Sequence, residues 1–103
     1  MRLGVTDHID CAHLLPGHPK CGHLHGHTYR VEVVVEGEMK DGMVLDFADL
    51  KARIRNDFMD VPTVENICER LAAEIAEGMP LRFSLRVYEG YAKWAETDVG
   101  ESR

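Results

Sequence analysis

From His27 to Glu36 the chain alternates, with Tyr29, Val31, Val33 and Val35 at odd positions and Thr28, Arg30, Glu32, Val34 and Glu36 at even ones. A period of two is the pattern of a strand with one buried face. Leu81 to Glu89 repeats it, with Leu81, Phe83, Leu85 and Val87 sharing a side. Residues 2–13 alternate less cleanly but read as a strand, and Tyr91 to Ala95 is expected to pair back across Gly90, leaving frayed last residues. Gly37 to Gly42 reads as a turn, with Met43-Val44-Leu45 returning as a short strand to close a hairpin.

Two segments carry a helical period instead. Asp46 is a candidate N-cap with Asp49 three residues on, an approximate capping box, and Phe47, Leu50, Ile54 and Phe58 supply an apolar stripe. Pro62-Thr63 opens a second helix whose Val64, Ile67, Cys68, Leu71, Ala72 and Ile75 follow the three-and-four spacing of a buried face. Gly78 ends it and Pro80 blocks its continuation. The order strand, strand, helix, helix, strand, strand predicts an α+β layer: a four-stranded antiparallel sheet with both helices on one face.

Length and charge narrow the function. With 103 residues and no repeat or linker, residues 1–103 read as one domain. So small a chain buries only about 60–65% of its unfolded surface, which favours oligomerisation. A formal charge of −6, with Lys and Arg scattered among acidic residues, argues against a nucleic-acid partner. No apolar run approaches a membrane span and residues 1–8 lack a signal-peptide segment, so a cytoplasmic location is expected. Three cysteines, Cys11, Cys21 and Cys68, show no paired spacing that would suggest a disulfide framework.

All six histidines fall between His8 and His27. His25-Gly26-His27 sets two imidazoles two residues apart, on one side of an extended chain. His13 approaches them if the first two strands pair across the irregular, Pro- and Gly-bearing stretch of residues 14–24. Three neutral imidazoles leave a fourth tetrahedral position open, as in catalytic zinc sites. Alone, His-x-His is a weak signal and reads more readily as polar loop residues with ordinary hydrogen bonds; His13 in reach and the glycine between the pair bring the metal reading level with it. Cys21, beside Lys20, is a candidate nucleophile or base, since a thiolate near a cation has a lowered pKa; it is also a possible fourth ligand. Cys11 and Cys68 read as small apolar residues. On pattern alone Glu89 is a solvated strand-end carboxylate, Thr63 a cap, and Glu65 a first-turn charge. His8, His18 and His23 read as exposed polar residues.

Cys11-Ala12-His13 and Lys20-Cys21-Gly22-His23-Leu24-His25-Gly26-His27 resemble the metal and nucleophile signature of the 6-pyruvoyl-tetrahydropterin synthase and 6-carboxytetrahydropterin synthase family. Gly42-Met43-Val44-Leu45-Asp46-Phe47, Pro62-Thr63-Val64-Glu65-Asn66 and Val87-Tyr88-Glu89 match later landmarks in the same order, so the resemblance covers nearly the whole chain. It implies the tunnelling fold, in which sheets join edge to edge into a barrel, typically a hexamer of two trimers. It implies Zn²⁺ on His13, His25 and His27, Cys21 as base or nucleophile, Glu89 as the anchor of the pterin ring, and Thr63 and Glu65 near the substrate. The usual substrate of such enzymes is 7,8-dihydroneopterin triphosphate. One outcome is triphosphate elimination with internal redox; the other is loss of a two-carbon fragment to leave a carboxylate, which feeds queuosine or archaeosine synthesis in bacteria and archaea.

The sequence departs from the family at one place. Between the helices such proteins carry an Asp-His pair followed by Leu-Asn, and that histidine works with the catalytic cysteine. Here the chain runs Asn56-Asp57-Phe58-Met59-Asp60-Val61-Pro62, a shortened link, and no histidine follows His27. General acid–base catalysis is commonly worth about 10²–10⁴ in rate. Three readings follow: another group (His18, His23, Asp57 or Asp60) substitutes; the reaction is an aldolase-like cleavage of a dihydropterin side chain; or the protein is a zinc-containing pterin- or purine-binding homologue without turnover.

Overall fold

A strand with one buried face needs lateral partners for its backbone N–H and C=O groups, and the four alternating segments supply them to one another. The computed structural model describes residues 1–13, 25–54 and 63–100. Along the chain these form β1 (Arg2–His13), β2 (His25–Glu36), α1 (Phe47–Ala52), α2 (Val64–Ala76), β3 (Arg82–Glu89) and β4 (Lys93–Val99). The sheet order is β1-β2-β3-β4 and every neighbouring pair is antiparallel. Val31 faces Val87, Val33 faces Leu85 and Val35 faces Phe83, so the apolar parities of β2 and β3 coincide.

Those odd positions form the core. Tyr29, Val31, Val33, Val35, Leu85 and Val87 are fully buried, together with Ile9 from β1, Leu50 from α1, and Ile67, Leu71 and Ile75 from α2. Burying each aliphatic side chain contributes roughly 1.5–3 kcal/mol. Helix α2 lies against β3 and β4 while α1 lies against β1. The helix layer thus covers one face of the sheet and leaves the even positions of β2, β3 and β4 on the other.

Both helix starts match the capping pattern. The Asp46 carboxylate accepts from Ala48 N–H at 2.7 Å, and the Thr63 hydroxyl oxygen accepts from Asn66 N–H at 3.1 Å. Arg53, the C-cap of α1, makes a contact that no local pattern announces. Its Nη1 donates to the carbonyls of Ile75 (3.1 Å) and Glu77 (2.7 Å), and its Nη2 to that of Gly78 (3.3 Å). One guanidinium therefore satisfies carbonyls that the end of α2 leaves open.

Three expectations are corrected. Met43-Val44-Leu45 is not a strand: Met43 pairs only with Lys40, in an isolated bridge. Asp41 (φ 52°) and Gly42 (φ 82°) both lie in the left-handed region, so Asp-Gly makes a tight two-residue turn and Val44 and Leu45 pack on the core instead. Helix α1 stops at Ala52, with Phe47 about half exposed and Ile54 half buried beyond the C-cap; Phe58 lies outside the described residues. Finally, the last strand does not stop at Ala95 but continues to Val99, while residues 101–103 lie outside the described residues. Its outward Glu96 and Asp98 disguise an inner row of Ala95, Thr97 and Val99 that is half buried.

Candidate active site

Antiparallel pairing of β1 with β2 brings His13 opposite His25 and Cys11 opposite His27, continuing the row in which Ile9 faces Tyr29. Positions directly opposed in such a pair stand about 4.5–5.5 Å apart at Cα. The three histidine positions are therefore adjacent on the backbone lattice, and they share the parity of the buried Tyr29 and Ile9. The side chains of residues 10–13 and 25–27 lie outside the described residues, as do Cys21, His18, His23, Asp57 and Asp60.

Glu89 ends β3 on the parity of Val87, and its register partner is Lys93 of β4. The Lys93 Nζ stands 3.9 Å from Glu89 Oε1, and the carboxylate side chain is 43% exposed. β1 ends, β2 begins and β3 ends at the same edge of the molecule. Glu89 accordingly belongs to the sheet end that carries the three histidine positions. The short connection 77–81 makes α2 and β3 antiparallel neighbours, directing the first turn of α2, with Thr63 and the exposed Glu65, toward that same end. Thr63 has a structural task as N-cap, since its hydroxyl oxygen accepts from Asn66 N–H.

Cys68 is no part of this end. It is 3% exposed and its Sγ lies 3.8 Å from the Leu85 carbonyl and 3.7 Å from that of Ala95. Burial pushes its thiol pKa above 9.0 and the charge of Glu96 pushes it the same way. An uncharged buried thiol is the packing residue that the helical pattern indicates.

The face without helices holds an arrangement that strand parity alone does not reveal. The register His8–Arg30–Tyr88–Trp94 runs across all four strands. The Arg30 guanidinium lies 4.1 Å from the Tyr88 ring centroid and the Arg86 guanidinium 4.1 Å from that of Trp94. Arg30 pairs with Glu32 at 3.1 Å and Arg86 with Glu96 at 3.0 Å, while Arg86 Nη1 donates to the Tyr88 hydroxyl at 3.2 Å. The Tyr88 hydrogen bond, the largest effect, raises the Arg86 guanidinium pKa; desolvation opposes it, and the hydrogen bond and charge of Glu96 add to the rise. At the end of this face a cavity of about 360 Å³ is lined by His8, Thr28, Arg30, Tyr88, Gly90 and Tyr91.

A two-layer fold of this topology, with paired histidine positions at the sheet end, defines a class. Residues 2–99 match the family model of 6-pyruvoyl tetrahydropterin synthase, and the chain belongs to that family. It is 42% identical to a protein of Archaeoglobus fulgidus described as "Putative 6-carboxy-5,6,7,8-tetrahydropterin synthase", over 93% of this chain and 94% of that one. It is 44% identical to the dihydroneopterin monophosphate aldolase of Pyrococcus furiosus, over 55% of this chain and 60% of that protein. The fold is that of 6-pyruvoyl tetrahydropterin synthase from Caenorhabditis elegans, with a TM-score of 0.78 at 20% identity, covering 97% of this chain and 96% of that one.

Proposed function

We propose that the protein is a zinc-dependent lyase that converts 7,8-dihydroneopterin triphosphate to a 6-substituted tetrahydropterin. The observation that carries the proposal is the register of β1 on β2, in which His13 and His25 are opposed and His27 stands two residues along the same row. Three imidazoles at adjacent positions fit a catalytic Zn²⁺ with an open coordination position. When bound, the ion polarises the hydroxyl oxygens of the substrate side chain and makes the neighbouring C–H more acidic.

The chain's own residues do the rest. Glu89 accepts hydrogen bonds from the ring N–H and the 2-amino group, which lie on one edge of the pterin, and so fixes the ring's orientation. Cys21 removes the proton from the activated carbon. Thr63 and Glu65, at the first turn of α2, border the bound ring. The site serves a homo-oligomer, in which the outer strands β1 and β4 of neighbouring copies join and close a barrel, as a hexamer of two trimers. No helix among the described residues is long and apolar enough to cross a membrane, and a cytoplasmic enzyme of the queuosine type fits the reading.

A second reading, aldolase-like cleavage of the dihydropterin side chain, is favoured by two observations. The chain resembles the Pyrococcus furiosus aldolase over half its length, and no histidine follows His27 to play the acid–base part. Incubation of the zinc-loaded protein with 7,8-dihydroneopterin triphosphate, with wild type and Cys21→Ala side by side and products weighed by mass spectrometry, tests both. A 6-carboxy or 6-pyruvoyl product from wild type alone supports the synthase. A 6-hydroxymethyl product supports cleavage. Bound but unchanged pterin in both proteins refutes turnover.

A further inference from the structure

We propose that Lys93 is a specificity-determining residue of the pterin site. Beside Glu89 it donates to the 4-oxo oxygen of the ring and selects 2-amino-4-oxo heterocycles over 2,4-diamino ones. The inference rests on the reading of Glu89 as the ring's anchor and extends it to a residue that no motif singles out.

Placement is the first argument. Lys93 opens β4 directly opposite Glu89, the last residue of β3, so the two share a face of the sheet. Register puts Arg2, Arg30, Arg82 and Arg86 on the other face. Lys93 is thus the one Lys or Arg of the four strands on the face of Glu89, and it stands at the sheet end that carries the three histidine positions.

Availability is the second argument. The Lys93 Nζ lies 3.9 Å from Glu89 Oε1, outside hydrogen-bond length, and the lysine side chain is 76% exposed. An ammonium has three N–H donors, so this one keeps its charge beside the carboxylate and still donates to a third group. An exposed ion pair of this length contributes little to stability, and the fold has little need of the lysine.

Chemistry supplies the ligand. Along the edge of a pterin that faces Glu89, the 2-amino group and N3–H are donors and the adjoining 4-oxo oxygen is an acceptor. A carboxylate with an ammonium at its side offers the complementary order, two acceptors and then a donor. A 2,4-diamino ring replaces that oxygen by an amino group, which sets donor against donor. The reacting side chain leaves the ring from C6, remote from this edge, so Lys93 reads the ring and not the phosphates.

The test is calorimetric titration of the zinc-loaded full chain at neutral pH with 6-hydroxymethylpterin and, separately, with its 2,4-diamino counterpart. Wild type should prefer the 4-oxo ligand. Lys93→Met, at an exposed position that does not threaten folding, should weaken that ligand by about tenfold or more, the loss of a hydrogen bond from a charged donor. It should not weaken the 2,4-diamino ligand. Lys93→Arg should keep the preference, and Glu89→Gln should abolish measurable binding of the 4-oxo ligand. If Lys93→Met weakens both ligands equally, the lysine only steadies Glu89 and the proposal is overturned. An unchanged 4-oxo affinity in Lys93→Met overturns it too, leaving the Glu89 reading intact as long as Glu89→Gln fails to bind. Wild-type affinity in Glu89→Gln, or no binding to wild type, overturns that reading and this inference with it.

Discussion

Raising the pH should weaken this fold through one thiol. Cys68 is buried on α2 with its Sγ toward the carbonyls of Leu85 and Ala95, on β3 and β4. Burial holds its pKa above the ordinary 9.0, with Glu96 adding to the shift. The sign follows from proton counting: above 9.0 the unfolded thiol ionises while the folded one stays protonated. The unfolded state then binds fewer protons, and stability falls as pH rises. The contribution is fully present below the unfolded pKa and is lost progressively up to the folded one. One pH unit above the unfolded pKa, ionisation favours the unfolded chain by about 1.4 kcal/mol, provided the folded thiol has not begun to titrate. Urea unfolding followed by Trp94 fluorescence, at fixed protein concentration and at several pH values around 9 and 10, measures this. Alkaline pH acts on the chain in other ways too, so the informative quantity is the difference from Cys68→Ala. That variant should lose about 1 kcal/mol of packing at neutral pH and show a shallower alkaline decline. An alkaline slope equal to that of wild type would refute the argument.

Thr63→Ala should cost about 1 kcal/mol by removing the acceptor for Asn66 N–H, and Thr63→Ser should restore most of it in the same urea assay. Arg53→Met, which keeps the aliphatic stem but frees three carbonyls at the end of α2, should lose about 1–2 kcal/mol, read as a lowered urea midpoint with little change in slope. For the lyase site, Glu89→Gln should abolish measurable pterin binding by calorimetry while zinc content, read by atomic absorption, stays at the wild-type level. Retained pterin affinity would remove Glu89 from the site.

What the sequence discloses of this fold is the part governed by short periods. The alternation through Tyr29, Val31, Val33 and Val35 and the helical spacing through Ile67, Leu71 and Ile75 each record a buried face, and those faces meet in the structure. Turn geometry was hidden where apolar residues misled: Met43, Val44 and Leu45 look like a strand, yet the Asp41-Gly42 turn sends them into packing. At the end of β4, Glu96 and Asp98 look like a solvated tail because the half-buried residues between them are small or polar. The histidine row was legible as an i, i+2 pair, but its meeting with His13 depends on the pairing of two distant strands. The stacking of Arg30 on Tyr88 and of Arg86 on Trp94 had no local sign at all, being a property of cross-strand register and not of neighbouring residues.

The Arg53 contact also bears on how this chain can change over evolutionary time. By fastening the last residue of one helix to the final carbonyls of the next, it fixes the relative position of the helix ends by a route other than the peptide between them. Length in that peptide becomes a nearly free variable, since doubling a flexible loop costs only about 0.6 kcal/mol in closure entropy. Residues can be gained or lost there, chemical groups included, while the sheet and its histidine row stay in register. A lineage could thus exchange one acid–base group for another without first having to rebuild its core.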